Sequence, residues 1–392
     1  MSGHKGSFSR FLSASPGRLH FAAHSHHPWP DVTRQAVLET WDDAARLIDR
    51  KWERIFEKVV PRAQSHVARV LDLARPAQVA FAPNTHEFVM RLLSCLEDRN
   101  PLRILTTDAE FTSFARQAAR LEELPGVLIT RVPAEPFETF GLRFRAAVAG
   151  SDHDLVYFSQ VFYNSGFVVQ DLQAIVGSVR SPAALVVIDG YHGWCAVPTS
   201  LRAIEDRAFY LAGGYKYAMS GEGVCFLHVP FGCKLRPVDT GWYALFGRLS
   251  DPPSGRVEYA EDAFRFWGAT FDPTGLYRFN AVMEWMDGIG LSVESIHDHA
   301  KGLQERFLAA LERRPVPALP VSALLTPRTL DQQGNFLAFR LPNAGVLARG
   351  LREANVDVDW RGDCLRFGFG LYQDEGDVDA LIERLATVDR NG

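Results

Sequence analysis

The stretch that decides the fold is ALVVIDGYHGWCAVPTSLRAIEDRAFYLAGGYKYAMSGEGVCFLHV, residues 184–229. Its first apolar run ends at Asp189, and His192 follows three positions later. A second apolar run covers residues 208–211, and Lys216 comes shortly after it. Both runs have the length and the apolar composition of buried strands. Because open α/β sheets bind ligands at the carboxyl ends of their strands, we predict that Asp189 and Lys216 share one site.

The residue types at this predicted site suit one cofactor, pyridoxal phosphate. That cofactor needs a lysine for a Schiff base and a carboxylate that keeps its ring nitrogen protonated. Lys216 and Asp189 supply these two groups, and Gly213-Gly214 would let the backbone approach a ring or a phosphate closely. Taken alone, such a lysine is more often a surface residue and such an aspartate a helix cap. Their order and spacing together favour the cofactor site.

The rest of the chain predicts an α/β fold. Short apolar runs alternate with amphipathic helical patterns over residues 78–228, which is typical of a mostly parallel central sheet with helices on both faces. One long helix is predicted to start at Val32, with Asp31 as its cap, and to continue to residue 56. Residues 230–255 are rich in Pro and Gly and interrupt the pattern. Helices and a few strands follow, which predicts a smaller α+β C-terminal domain.

The length of 392 residues is enough for two domains with separate cores. We predict a large cofactor-binding domain over residues 46–255 and a small C-terminal domain over residues 256–392. Residues 1–45 are expected to form an N-terminal segment that packs with the small domain.

Charge and composition exclude several classes of function. The formal net charge of -5, without a strong basic cluster, gives no reason to expect nucleic acid or an anionic membrane as a partner. The five cysteines form no CxxC pair, which is typical of reduced thiols. No apolar run approaches the ~18 residues of a membrane span, and the first residues lack the apolar core of a secretory signal. The sequence therefore predicts a soluble cytoplasmic protein.

The Asp-x-x-His motif and the Tyr-Lys-Tyr motif at residues 215–217 resemble those of the class V, fold type I pyridoxal-phosphate enzymes. Among these enzymes the chain is most similar to kynureninases, and the resemblance covers residues 18–388. It implies that Lys216 forms the Schiff base, that Asp189 pairs with the ring nitrogen and that His192 lies beside the cofactor. It also implies a small amino acid as the substrate and a homodimer with shared active sites.

The resemblance assigns further positions to the cofactor. Those at the phosphate are Asn84, Thr85, Tyr215, Trp242 and, reaching over from a second subunit, Thr270. A turn into a helix, as at Asn84, offers backbone N–H groups and the positive end of the helix dipole to an anion. Phe111 would stack on the ring, and Asn164 would lie near the oxygen substituent of the ring. On the residues alone, a plain helix cap at Thr85 and a core position for Phe111 stay open.

Other positions are assigned to the substrate. Arg366 matches the arginine that binds the substrate carboxylate in the family, a task that suits the planar fork of a guanidinium. The N-terminal motif of the kynureninases is replaced by residues 23–27, Ala-His-Ser-His-His, and the segment around Thr270 also departs from the family. Because both differences fall where the substrate side chain lies in the family, we place His24 and His26 at the substrate.

The sequence leaves the reaction open. Kynureninase-like hydrolysis of a Cβ–Cγ bond is the first hypothesis, and a class V aminotransferase or a β-eliminating lyase similar to the cysteine desulfurases is the alternative. Cys364 lies in a predicted strand two residues before Arg366, whereas the desulfurases carry their nucleophile on a long loop, so we predict a structural cysteine. More distant alternatives are a binding module without activity and a metal-dependent hydrolase that uses His24, His26 and His27.

Overall fold

The computed structural model describes residues 3–248 and 255–391. Within these residues the strands are β1 (Leu19–His20), β2 (Val79–Ala82), β3 (Leu102–Thr107), β4 (Val127–Val132), β5 (Leu155–Ser159), β6 (Leu185–Asp189), β7 (Phe209–Gly213), β8 (Cys225–His228), β9 (Phe336–Arg340), β10 (Val356–Asp357), β11 (Asp359–Arg361) and β12 (Cys364–Gly368). The α-helices are α1 (Ser9–Ser13), α2 (Val32–Leu47), α3 (Lys51–Arg54), α4 (Val60–Val70), α5 (Thr85–Ser94), α6 (Thr112–Glu122), α7 (Phe137–Gly150), α8 (Leu172–Gly177), α9 (Thr274–Gly288), α10 (Val293–Arg313), α11 (Ala344–Glu353) and α12 (Glu375–Asn391).

The central sheet has seven strands in the order β2-β8-β7-β6-β5-β3-β4. All neighbours from β7 to β4 are parallel, and β8 is antiparallel to both β7 and β2. Every residue of β5 and β7 is buried, as expected for parallel strands that are covered on both faces. The predicted α/β fold with a mostly parallel sheet is therefore confirmed.

The predicted long helix from Val32 to residue 56 is wrong, because the backbone changes its winding twice. A 3-10 turn at Ile48–Arg50 follows α2, and a π turn at Ile55–Val59 follows α3. Ile48 has a φ of 51°, which is unfavourable for a β-branched side chain and interrupts the α-helical hydrogen bonds. Apolar periodicity continues through such a break and therefore did not indicate it.

The cap predicted at the start of α2 is also different. Asp31 stands at the N-cap position, but its side chain makes no capping hydrogen bond. The Asp31 carboxylate instead accepts hydrogen bonds from the Ser9 hydroxyl and the Arg10 backbone N–H. Asp31 therefore ties α1 to the start of α2.

The N-terminal segment contacts the C-terminal part of the chain. Strand β1 pairs with β10, and β11, β12 and β9 form a separate three-stranded antiparallel sheet. A second apolar cluster surrounds Phe307, Leu337 and Phe367 there. The division at residues 45 and 255 stays a prediction, and residues 249–254 beside the second boundary lie outside the described residues. In the described ranges no helix is both long and apolar enough to cross a membrane.

Candidate active site

A cavity of about 460 Å³ opens at the carboxyl ends of the central parallel strands. Ser159 and Asp189, the last residues of β5 and β6, line it, and so does Lys216, three residues after β7. The predicted site residues that line this one cavity are Asn84, Thr85, Phe111, Asp189, His192, Tyr215 and Lys216. The volume lies within the range of about 300–1,000 Å³ that is usual for small-molecule sites.

Lys216 is the lysine that lines this cavity. Its side chain is buried, and its Nζ lies 2.6 Å from Nε2 of His192. The rings of Tyr191, Phe111 and Tyr215 surround the amine, with centroids 5.0, 5.4 and 5.6 Å from Nζ. Burial lowers the pKa of Lys216 to about 7, and the negative charge of Asp189 opposes this shift. A lysine with such a pKa is suited to act as a base or a nucleophile near neutral pH.

Asp189 is held in one orientation by two hydrogen bonds. Its carboxylate accepts one from the Tyr157 hydroxyl and one from the Tyr191 backbone N–H, both at 2.9 Å. Tyr157 is fixed in turn by stacking on Phe114, with ring centroids 3.6 Å apart. Burial raises the pKa of Asp189, whereas these hydrogen bonds and the Lys216 charge lower it. The carboxylate therefore has a defined direction, which a partner for a ring nitrogen requires.

Glu110 is a second buried carboxyl group near Asp189 and was not predicted from the sequence. It accepts hydrogen bonds from the Thr107 and Ser159 hydroxyls, each at 2.6 Å. Burial raises the pKa of Glu110 to about 7, its hydrogen bonds oppose this, and the nearby Asp189 raises it further. The sequence did contain one signal for Glu110, because it directly precedes Phe111, the residue that the resemblance assigns to the cofactor ring. Glu110 therefore fixes the side chain of Ser159, which lines the cavity at the end of β5.

Tyr191 lines the cavity and was not predicted, although it lies inside the Asp-x-x-His motif. Its hydroxyl is hydrogen-bonded to Cys225 Sγ at 3.4 Å, and its ring centroid lies 5.0 Å from that of Tyr215. A Cβ at Gly213 would lie 2.2 Å from the Tyr191 hydroxyl oxygen. Gly213 is therefore needed to leave room for the Tyr191 side chain. From the sequence, we had expected this glycine only to let the backbone approach the ring or the phosphate of the cofactor.

The predicted phosphate residues divide into two groups. Asn84 is the N-cap of α5, and its side chain accepts a hydrogen bond from the Glu87 N–H at 3.1 Å, so the cap is Asn84 rather than Thr85. The start of α5 thus faces the cavity. Trp242 is 47% exposed, Thr270 is exposed, and neither lines the cavity. The roles of Trp242 and Thr270 at the phosphate stay predictions.

Arg366 lies on β12 and is linked to the cavity through Tyr163. One guanidinium nitrogen, Nη1, donates to the Tyr163 carbonyl at 2.5 Å, and the Tyr163 ring contacts the Phe111 ring at 5.5 Å between centroids. Nη2 donates to Asp359. Asn164 does not line the cavity, and its Oδ1 is buried without a partner among the described residues. The substrate role of Arg366 and the cofactor role of Asn164 stay predictions.

His24, His26 and His27 are close in sequence but lie in different surroundings. His24 is fully buried and stacks on Phe336 at 4.6 Å, whereas His26 stacks on Tyr215 at 5.1 Å with a largely exposed side chain. His27 is hydrogen-bonded through Nδ1 to the Pro28 carbonyl. Across residues 3–248 and 255–391, no group of three His, Cys, Asp or Glu could hold a metal ion. The metal-dependent hydrolase hypothesis therefore has no support in this geometry.

The sequence profile of the family described as "Aminotransferase class-V" matches residues 49–381. Isopenicillin N epimerase of Streptomyces clavuligerus is 28% identical over 83% of this chain and 83% of its own length. A probable cysteine desulfurase of Chlamydia muridarum is 27% identical over 60% of each chain. Kynureninase of Pseudomonas fluorescens is 27% identical over 56% of this chain and 51% of its own.

Solved structures share the whole fold. A variant of C-DES with glycine covalently linked to its PLP cofactor has a TM-score of 0.83 at 17% identity, covering 98% of this chain and 99% of its own. The cystine C–S lyase C-DES with its product cysteine persulfide has a TM-score of 0.79 at 18% identity, covering 96% and 99%. At these identities the likeness establishes the fold.

Proposed function

Because the chain belongs to the class-V aminotransferase family, we propose that it is a β-eliminating lyase that acts on a small amino acid. It is a pyridoxal-phosphate-dependent enzyme. The observation that carries the proposal is the buried Lys216 amine, hydrogen-bonded to His192 in a cavity that also contains Asp189. The cystine C–S lyase and the desulfurase among the similar proteins support a reaction at Cβ.

The cavity residues fit the cofactor. Lys216 would hold it covalently, Asp189 would pair with its ring nitrogen, and Phe111 and Tyr191 offer flat apolar faces on the cavity wall. The N-terminus of α5 would receive its phosphate. When bound, the cofactor supplies an electron sink for charge that develops at the α-carbon of the substrate.

We assign the other steps of the reaction to residues of the protein. We assign to Lys216 the removal of the α-proton, since its low pKa leaves much of the amine neutral at pH 7. His192 orients that amine through the 2.6 Å hydrogen bond, and Arg366 binds the α-carboxylate. In an elimination, the leaving group then departs from Cβ with the bonding electrons and takes up a proton.

Cys364 separates a lyase from a sulfur-transferring desulfurase. It is the first residue of β12, it is buried, and it does not line the cavity. Burial raises the pKa of the Cys364 thiol to about 11, so little thiolate is available for attack. The proposed elimination therefore uses no cysteine nucleophile.

The Cys364→Ala variant is expected to keep at least about half of the native lyase rate, because the proposed reaction does not use this thiol. Rates of native and variant enzyme with cystine as the substrate give the comparison. A matched control is Cys233→Ala, which removes another cysteine outside the cavity lining. Loss of activity confined to Cys364→Ala would contradict the lyase and favour sulfur transfer.

The test of the reaction is a product analysis with cystine, alanine and kynurenine in D₂O. We expect pyruvate, ammonia and cysteine persulfide from cystine, the persulfide being the leaving group. A keto acid without elimination would indicate transamination, and anthranilate with alanine would indicate the hydrolysis that the kynureninase resemblance suggested. That hydrolysis has weaker support, since the kynureninase match covers 56% of this chain. Absence of pyruvate, of any other keto acid and of anthranilate would contradict all of these reactions.

Epimerisation is the second candidate, because the isopenicillin N epimerase match covers 83% of both chains. It requires the same proton removal by Lys216, followed by return of a proton to the opposite face of the α-carbon. Chiral chromatography distinguishes epimerisation from elimination. Epimerisation inverts the amino acid without consuming it, whereas elimination consumes it.

Capture of pyridoxal phosphate by the cofactor-free protein is expected to accelerate as the pH rises to about 7 and then to level off. Only the neutral amine is nucleophilic, and burial lowers the pKa of Lys216 to about 7 from 10.5 against the attraction of Asp189. Below that pH the neutral fraction falls about tenfold per pH unit. The absorbance of the bound cofactor measures the rate. A rate that keeps rising toward pH 10.5 would contradict the buried state of this amine.

We also propose a homodimer with shared active sites. Trp242 and Thr270 lie outside the cavity of their own chain and carry exposed surface, so they are available to a second copy. Light scattering of the native protein measures its mass. A monomer that is fully active would contradict this arrangement.

A further inference from the structure

Arg366 is already bound to a carboxylate of its own chain. Asp359 lies directly opposite Arg366 in the antiparallel β11–β12 pair and accepts a hydrogen bond from Nη2. Both side chains are largely buried. Cross-strand neighbours in direct register are held close together by the sheet itself. The contact is therefore a built feature of the hairpin, and the predicted carboxylate-binding arginine carries an internal ligand.

The remaining donors of Arg366 cannot bind a second carboxylate independently of Asp359. Nη1 donates to the Tyr163 carbonyl, and Nε is buried without a partner in the described part of the chain. A bidentate carboxylate needs two neighbouring N–H groups on one edge of the guanidinium. Both the Nη1–Nη2 edge and the Nε–Nη2 edge include the nitrogen that Asp359 occupies. Nη2 has a second hydrogen, but a carboxylate that used it would lie beside the Asp359 carboxylate and be repelled by its charge, so the two carboxylates compete for Nη2.

Two other residues can receive Asp359 when it leaves Arg366. Arg361 Nη1 lies 3.3 Å from Oδ1 of Asp359, and His24 Nε2 lies 3.9 Å from Oδ2. Both ring nitrogens of His24 are buried and lack a hydrogen-bond partner among the residues that the structure describes. A small rotation of the Asp359 carboxylate would satisfy a buried imidazole nitrogen, which favours the exchange.

We infer that Asp359 is an internal competitor for the substrate carboxylate, and that it exchanges Arg366 for His24 and Arg361 when an amino acid binds. The inference rests on the proposed function in taking Arg366 as the carboxylate-binding residue. Asp359 lowers the affinity of every ligand that offers only a carboxylate to Arg366. A ligand that also offers an amino group at the Lys216 end of the cavity gains a second attachment. With Asp359 present, a simple carboxylic acid therefore binds weakly, whereas an amino acid offsets the competition through its amino group.

Calorimetric titration of the holoenzyme with propionate, a carboxylate without an amino group, tests this directly. Asp359→Asn keeps the shape of the side chain and removes its charge, so propionate is expected to bind about tenfold more tightly than to the native enzyme. Asp363→Asn, on the exposed turn of the same hairpin, is the matched control and should leave the dissociation constant unchanged. Unchanged or weaker binding by Asp359→Asn would overturn the inference.

A second variant shifts the competition in the opposite direction. Arg361→Ala removes one alternative partner of Asp359 from an exposed position, so propionate is expected to bind about threefold more weakly. An unchanged or lower dissociation constant would contradict the proposed movement of Asp359 from Arg366 to Arg361 and His24. Propionate binding requires no turnover. If cystine is not cleaved but Asp359→Asn still tightens propionate binding, the proposed reaction fails and the competitor role stands.

Discussion

Lys216→Ala is expected to lose the yellow colour of the bound cofactor and to lower the rate of α-proton exchange roughly 10³-fold or more. The variant lacks both the covalent attachment and the base, and the structure offers no second lysine in the cavity lining. The measurements are the absorption spectrum of the purified protein and deuterium incorporation into an amino acid. Burial lowers the pKa of Lys216 to about 7 from 10.5, so the amine costs stability below pH 10.5, and its removal should leave the unfolding temperature of the cofactor-free protein similar or higher.

Lys58→Ala is the matched control, because Lys58 is exposed and lies outside the cavity lining. That variant should keep the native spectrum and rate. A yellow Lys216→Ala protein with native exchange activity would mean that another group holds the cofactor, which contradicts the assignment.

Asp189→Asn is expected to lower the α-proton exchange rate about 10²–10³-fold while the cofactor stays bound. The amide is isosteric: its oxygen can accept from the Tyr191 N–H, and its NH₂ group can donate to the Tyr157 hydroxyl oxygen. It carries no negative charge, however, and so cannot keep the ring nitrogen protonated. Exchange rates at saturating cofactor isolate this electronic effect from binding.

The control for Asp189→Asn is Asp152→Asn, which changes an exposed aspartate of the loop before β5. Its exchange rate should equal that of the native enzyme. Native exchange in the Asp189 variant would show that this carboxylate is structural, and the predicted pairing with the ring nitrogen would then be wrong.

Asp189 and Lys216 could be predicted from the sequence as one site, because each lies just after the carboxyl end of a predicted strand. Asp189 and Lys216 each come after a run of buried strand residues, and the carboxyl ends of parallel neighbours meet at one edge of a sheet. The same rule applied to residues 155–158 would have added Ser159, which lines the cavity at the end of β5. Local sequence was sufficient here since the sheet topology is regular.

The periphery could not be predicted because it depends on contacts between distant segments. The three neighbouring histidines diverge, since His24 packs on Phe336 from β9 and His26 on Tyr215. The ring contacts of Tyr191 and Tyr215 likewise depend on how the loops after β6 and β7 meet.

One peripheral feature had an available signal. The turn of the β11–β12 hairpin includes Gly362, whose φ of 57° favours glycine. Counting outward from that turn pairs Arg361 with Cys364 and therefore Asp359 with Arg366, as the structure has it. The ion pair at the predicted substrate arginine could have been inferred from strand register alone.

The central claim is that Lys216 holds the cofactor, and peptide mapping tests it most directly. The purified holoenzyme is treated with borohydride, which fixes a cofactor held on a lysine amine, and is then digested and analysed by mass spectrometry. The account predicts one modified peptide, with the pyridoxyl group on Lys216. Modification of a different lysine, or of none while the cofactor is bound, would contradict it.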